Sequence, residues 1–150
     1  MDAIDRKILA ELQKDGRISA TELAKRVGLS LSPSHRRVQL LEDAGVISGY
    51  RATIDPQAVD LRFSAIIFVT LKETSSSSVL RFETALFDIP EVISAQRLFG
   101  DPDFMLHVVT QDLDAFRTLY DKSISALPGV LRLNSTLVMK NIFQDRPLPL

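Results

Sequence analysis

The sequence predicts an α+β chain, with an N-terminal (winged) helix-turn-helix domain followed by a ferredoxin-like βαββαβ domain. Three observations carry this expectation. Residues 18–37 hold a short capped helix, a glycine turn and a second capped helix with a basic outer side. From residue 64 onward, strand and helix patterns follow one another in the order β-α-β-β-α-β. Ile89-Pro90-Glu91-Val92 and Leu127-Pro128-Gly129-Val130 mark the same helix-to-strand joint twice, as two βαβ halves require. The expected bounds are a helix-turn-helix domain at 1–54, a connector at 55–63 and a βαββαβ domain at 64–150.

Ile4, Ile8, Leu9 and Leu12 recur at helical spacing. They give a first amphipathic helix from about Asp2 to Lys14, stopped by Asp15-Gly16. Ser19-Ala20-Thr21-Glu22 fits a capping box, in which the hydroxyl accepts from the amide three residues on and the Glu reaches back. The second helix buries Leu23, Ala24 and Val27. It ends at Gly28, for which a left-handed cap costs little. The third helix is expected to start at Ser32-Pro33, because Ser is a good N-cap and Pro fits the first helical position. Val38, Leu41 and Ala44 form its inward stripe. His35, Arg36, Gln39 and Asp43 lie outward, Arg37 sits on the flank, and Gly45 ends the helix. Val46 to Ile54 holds β-formers around Ser48-Gly49 and is expected to form a two-stranded wing. Asp55-Pro56 opens the connector.

In the second half, Ser64 to Lys72 reads as a strand, and Val79 to Asp88 as a helix entered through the hydroxyl-rich Thr74 to Ser78. Val92 to Phe99 is the next strand, and a tight turn at Gly100-Asp101-Pro102 leads into a third, Phe104 to Thr110. Asp112 caps a helix running to about Ala126, on which Leu113, Phe116, Leu119, Tyr120 and Ile124 are apolar. Val130 to Lys140 closes the sheet. Both helices are expected on one face. Ile66 and Phe68 alternate with Ile67 and Val69, so both faces of that strand are apolar, and the uncovered face is expected to be an interface.

Composition narrows the function. With 45% hydrophobic and 25% charged residues over 150 positions, the chain is globular and long enough for two small domains. It has no Cys, which excludes disulfides and thiolate metal sites. The two histidines, His35 and His107, fall in different expected domains, so no metal or other cofactor is expected. No apolar run approaches the roughly 20 residues of a membrane helix. Met1 to Lys7 is charged and amphipathic rather than signal-like, so the expected localisation is cytoplasmic.

A net charge of −1 argues against a bulk polyanion binder. Between residues 23 and 51, however, Lys25, Arg26, Arg36, Arg37 and Arg51 face only Glu42 and Asp43, and a local basic face serves phosphate contacts. Two helices joined this tightly suit the major groove of double-stranded DNA. The candidate contacts on the third helix are Ser32, Ser34, His35, Arg36, Arg37 and Gln39. Arg36 can read guanine or hold a phosphate, and Gln39 can read adenine. Arg37 suits a phosphate clamp or a salt bridge to Glu42. Asp101 and Asp103 are close enough in sequence for paired acid–base chemistry. Gly, Asp and Pro are turn formers, though, and no nucleophile–base pair stands nearby in sequence, so enzymatic activity is not expected.

Ile4-Asp5-Arg6-Lys7-Ile8-Leu9, Asp15-Gly16-Arg17, Glu22-Leu23-Ala24, Val27-Gly28-Leu29-Ser30, Arg37-Val38, Leu41-Glu42, Gly45-Val46-Ile47 and Gly49-Tyr50 occur in that order. Gly100-Asp101-Pro102-Asp103 and Leu127-Pro128-Gly129-Val130 follow. Along nearly its whole length, the chain thereby resembles the Lrp/AsnC (leucine-responsive, feast/famine) family of prokaryotic transcription regulators. The resemblance implies a helix-turn-helix and a βαββαβ domain that dimerises through its sheets, often assembles further, and binds a small effector, usually an amino acid. It implies an effector loop at Gly100, Asp101, Pro102 and Asp103, where exposed amides take a carboxylate and an acidic side chain takes an ammonium. It also implies a pocket on the last strand, at Ser135 and Thr136. The chain departs from the family pattern at Pro102, where an aromatic is common, and at Asp60, where Gly is frequent.

The expected partners are double-stranded DNA, an amino-acid effector and further copies of the chain, with no membrane. Two rival readings are a ligand-independent DNA-bridging architectural protein, and a small-molecule-binding module or enzyme on a ferredoxin-like fold.

Overall fold

A computed structural model describes residues 1–144 and 146–150. Contacts divide the chain into two compact units, Met1–Thr53 with Ile142–Leu150, and Ile54–Asn141. Ile142–Leu150 therefore group with the first unit, whereas the sequence reading carried the βαββαβ domain to residue 150. The Gln13 side chain accounts for this: its Nε2 donates to the Leu148 carbonyl (3.3 Å) and its Oε1 accepts the Leu148 N–H (2.6 Å).

The first unit is built on α1 (Ala3–Lys14), α2 (Ala20–Val27) and α3 (Leu31–Asp43). Asp2 caps α1, accepting the N–H of Ile4 and of Asp5, while Asp5 returns a bond to the Asp2 N–H. At α2 only half of the expected box forms. Ser19 Oγ accepts the Glu22 N–H at 3.2 Å, but the Glu22 carboxylate takes Arg26 Nε at 2.8 Å. Gly28 ends α2 at φ 76°, a backbone conformation that is costly with a Cβ. Helix α3 starts two residues earlier than expected, with Ser30 in place of Ser32 as N-cap. Ser32 and Pro33 thus lie in its first turn, where amides have no intrahelical acceptor and proline is harmless. Ile8, Leu23, Val27 and Leu41 are buried at the centre, with Ile4, Leu12, Leu29, Val38 and Ile47 packed around them. Ala44 is exposed and drops out of the inward stripe.

The two strands expected within 46–54 do not form. The segment is used up on the helices instead. The N–H groups of Val46 and Ile47 both donate to the Leu41 carbonyl, Ile47 packs on the core, and Tyr50 Oη donates to Glu42 Oε1 at 2.9 Å.

The second unit opens with a 3₁₀ turn, Pro56–Val59. It continues through β1 (Phe63–Leu71), α4 (Ser76–Leu86), β2 (Val92–Arg97), β3 (Phe104–Thr110), α5 (Leu113–Leu119) with a π-helical continuation Tyr120–Ile124, and β4 (Val130–Leu137). The strand order is β2-β3-β1-β4, with every neighbouring pair antiparallel. This is the sheet of a ferredoxin-like fold. Ala65, Ile67, Val69 and Leu71 of β1 and Phe104, Leu106 and Val108 of β3 point to one face. Val79 and Phe82 of α4, Phe116 of α5 and Ile124 seal it. Side-chain period 2 sends Ser64, Ile66, Phe68 and Thr70 to the opposite face, which no element of the unit covers.

A candidate DNA-reading face and effector hollow

Helix α3 has two distinct sides. Ser32, His35, Arg36 and Gln39 are exposed, whereas Ser34 is only 1% exposed and points into the head. Ser34 is thus removed from the expected contact set. Its position follows from period 3.6, which aligns it with Val38 and Leu41. Arg37 also departs from expectation. Its partner is not Glu42: Nη1 lies 2.7 Å from both Asp2 Oδ2 and Asp5 Oδ1, tying α3 to the start of α1. The Asp2 carboxyl is lowered to about 2, first by the Asp5 N–H and then by Arg37. Arg26 is similarly engaged by Glu22 and Glu11. Of the five basic residues between 23 and 51, Lys25, Arg36 and Arg51 make no ion pair among the described residues. The free cations that a phosphate backbone can recruit are therefore fewer than the sequence count, and Arg36 is the one on α3.

In the second unit, Gly100, Asp101, Pro102 and Asp103 form the turn between β2 and β3, with Gly100 at φ 130°. The two carboxylates do different work. Asp103 is half-buried and structural. Its N–H donates to the Val69 carbonyl (2.9 Å), and its Oδ2 accepts the Leu71 N–H (2.7 Å) where the β1–β4 register shifts. One oxygen of that carboxylate is thus engaged by the backbone, while Oδ1 accepts no hydrogen bond among the described residues. Asp101 is exposed and accepts from Thr70 Oγ1 (3.0 Å) and from Arg132 Nη2 (3.0 Å). Beside this pair lies a hollow of about 220 Å³ lined by Phe68, Thr70, Asp101, Pro102, Arg132 and Asn134.

Thr70, Arg132 and Asn134 were not selected from sequence. The register explains their arrival: Thr70 pairs with Arg132 and Phe68 with Asn134, which places all four on the uncovered face. The available signal was a lone cation in an otherwise uncharged strand, Val130-Leu131-Arg132-Leu133-Asn134. The same register separates Ser135 from Thr136. Thr136 pairs with Ile66 on the uncovered face and Ser135 with Ile67 on the helix-covered side, so the two do not converge, and neither lines the hollow.

His107 lies on the uncovered face opposite Ile66, with Nε2 2.7 Å from Ser64 Oγ. Burial lowers its pKa, favouring the neutral ring. Among the described residues no cluster of His, Asp and Glu has the arrangement of a metal site, and no helix is long and apolar enough to cross a membrane.

Comparison with known proteins joins the two units. Residues 1–48 match the winged helix-turn-helix DNA-binding family and residues 64–148 the Lrp/AsnC ligand binding domain. The chain is 37% identical over 150 residues to the Bkd operon transcriptional regulator of Pseudomonas aeruginosa, covering all of this chain and 98% of that one. It is 38% identical to the leucine-responsive regulatory protein of Escherichia coli K12, covering 99% of this chain and 90% of that one. A transcriptional regulator from Neisseria meningitidis, solved as an L-Met complex, superposes with a TM-score of 0.93 at 35% identity, covering 99% of this chain and 96% of that one. The chain belongs to the Lrp/AsnC family of DNA-binding transcriptional regulators.

Proposed function

We propose that this regulator is gated by a free amino acid bound beside the Gly100–Asp103 turn, and that it reads DNA through Ser32, His35, Arg36 and Gln39 of α3. The observation that carries the reading is the exposed Asp101–Arg132 pair at the rim of the hollow. An α-amino acid brings its own opposite charges. Its ammonium replaces Arg132 on Asp101, its carboxylate replaces Asp101 on Arg132, and Phe68 supplies an apolar wall. The L-Met carried by the Neisseria regulator supports the ligand class.

The uncovered sheet face, with Ile66, Phe68 and Met105 half-exposed, pairs with a second copy. Two copies present two recognition helices to successive major grooves, about 34–36 Å apart, and linkage makes the second contact intramolecular. The division of labour is a DNA-reading unit at the N-terminus and an effector and assembly unit after the connector. The protein works in the cytoplasm by binding and carries out no catalysis.

Thermal shift of the full chain against the twenty amino acids, followed by anisotropy on promoter DNA with and without the best hit, tests this. A hit that alters DNA affinity is expected. If none of the twenty stabilises the chain, gating by an amino acid falls and the DNA-bridging alternative takes its place.

A further inference from the structure

The second unit has another concavity, which shares no lining residue with the hollow described above. Edge strand β2 and helix α4 flank a groove of about 450 Å³. Phe104, 1% exposed, forms its floor, while Leu86, Phe87, Val92 and Ile93 form apolar walls. Phe87 is 89% exposed and Ile93 55% exposed, which is expensive for such side chains if nothing ever covers them. The volume falls in the range of small-molecule sites.

Two charged residues complete the lining, Glu83 on α4 and Arg97 on β2. Arg97 pairs with Phe104 in the β2–β3 register, so its side chain leaves the sheet on the helix side, toward the groove. Glu83 stands one helical turn before Phe87, on the same side of α4. Neither Glu83 nor Arg97 makes an ion pair or a side-chain hydrogen bond among the described residues, whereas the comparable Asp101 and Arg132 satisfy one another. An unpaired carboxylate and an unpaired guanidinium on one apolar groove are complementary to a molecule carrying both charges on an apolar body.

We infer that the groove between α4 and β2 is a second binding site, for a small zwitterion with an apolar side chain. Arg97 receives the carboxylate, Glu83 receives the ammonium, and Phe87 and Ile93 enclose the apolar part. The groove opens on the helix side of the sheet and the hollow on the uncovered face, so the assignment stands whether or not the hollow binds a ligand.

The chain contains no Trp, so the full-length Phe87→Trp variant carries a single fluorescent reporter at the groove while keeping an aromatic wall. L-Leucine is the probe. A saturable fluorescence change at millimolar ligand or below is expected. Leucinamide, which lacks the carboxylate, and N-acetyl-leucine, which lacks the ammonium, should each bind about 10-fold more weakly or worse. Arg97→Gln and Glu83→Gln in the same background should weaken L-leucine by a similar factor, with unchanged circular dichroism. Blocked analogues that bind as tightly as L-leucine would overturn the assignment. So would a signal lost in Arg132→Gln, which would belong to the hollow at the Gly100 turn, or one that follows protein concentration rather than ligand, which would make the occupant a second copy.

Discussion

Arg36→Ala is the sharpest test of the DNA-reading face. Arg36 is exposed on α3 and makes no ion pair among the described residues, so its removal leaves no orphaned partner in the head and should not change stability. A bidentate base contact is worth about 1–3 kcal/mol. A dimer on a two-fold site loses that contact twice, about 2–6 kcal/mol, which is roughly 30-fold or more in affinity. If Arg36 instead holds a phosphate, operator and random DNA weaken alike. The slope of log K against log salt then falls by about 0.9 per half-site, or about 1.8 for the dimer. Fluorescence anisotropy on operator and scrambled duplexes across a salt series separates these outcomes, and thermal denaturation monitors the fold. Unchanged affinity for both duplexes at every salt concentration would show that α3 presents a different side to DNA.

Four further outcomes follow from the packing and the sheet. Ile8→Ala, at 0% exposure in a core with few other buried side chains, should cost about 2–4 kcal/mol in denaturant titration of the head; a loss near zero would mean the helices repack without it. Asp103→Ala strips the acceptor from the Leu71 amide and should cost about 1–3 kcal/mol of stability, whereas Asp101→Ala should leave stability nearly unaltered and abolish amino-acid binding by calorimetry. Ile66→Asp puts a charge in the middle of the uncovered sheet face and should shift sedimentation of the full chain toward monomer; an unshifted boundary would place the dimer contact elsewhere. His107 has a folded-state pKa below its unfolded value, so the unfolded chain binds the extra proton first. Stability should therefore decline as pH falls through about 6.5 and level off below the lowered folded value, and His107→Gln should flatten that part of the profile.

Local chemistry made much of this protein legible before any coordinates. Asp2, Ser19 and Gly28 each declare a helix boundary through groups within four residues, so α1 and α2 could be read directly from the chain. Alternation in β1 and the repeated helix-to-strand joint determined the sheet and its two apolar faces for the same reason, since period 2 is a property of the extended backbone. Choices between competing partners needed the tertiary structure. Ser34 shares a helix side with Val38 and Leu41, and the packing of α3 on the core left it 1% exposed. Arg37 met Asp2 and Asp5, more than thirty residues away, and not its neighbour Glu42. The wing segment folded onto Leu41 and Glu42 in place of pairing with itself. Asp101 and Asp103 look alike in sequence, but only strand register brings Thr70 and Arg132 to the first and the Leu71 amide to the second. Capping and periodicity act over a few residues and are written in the order of the chain; ion pairing and register join distant residues, and which of several eligible partners meet is decided only when the core packs.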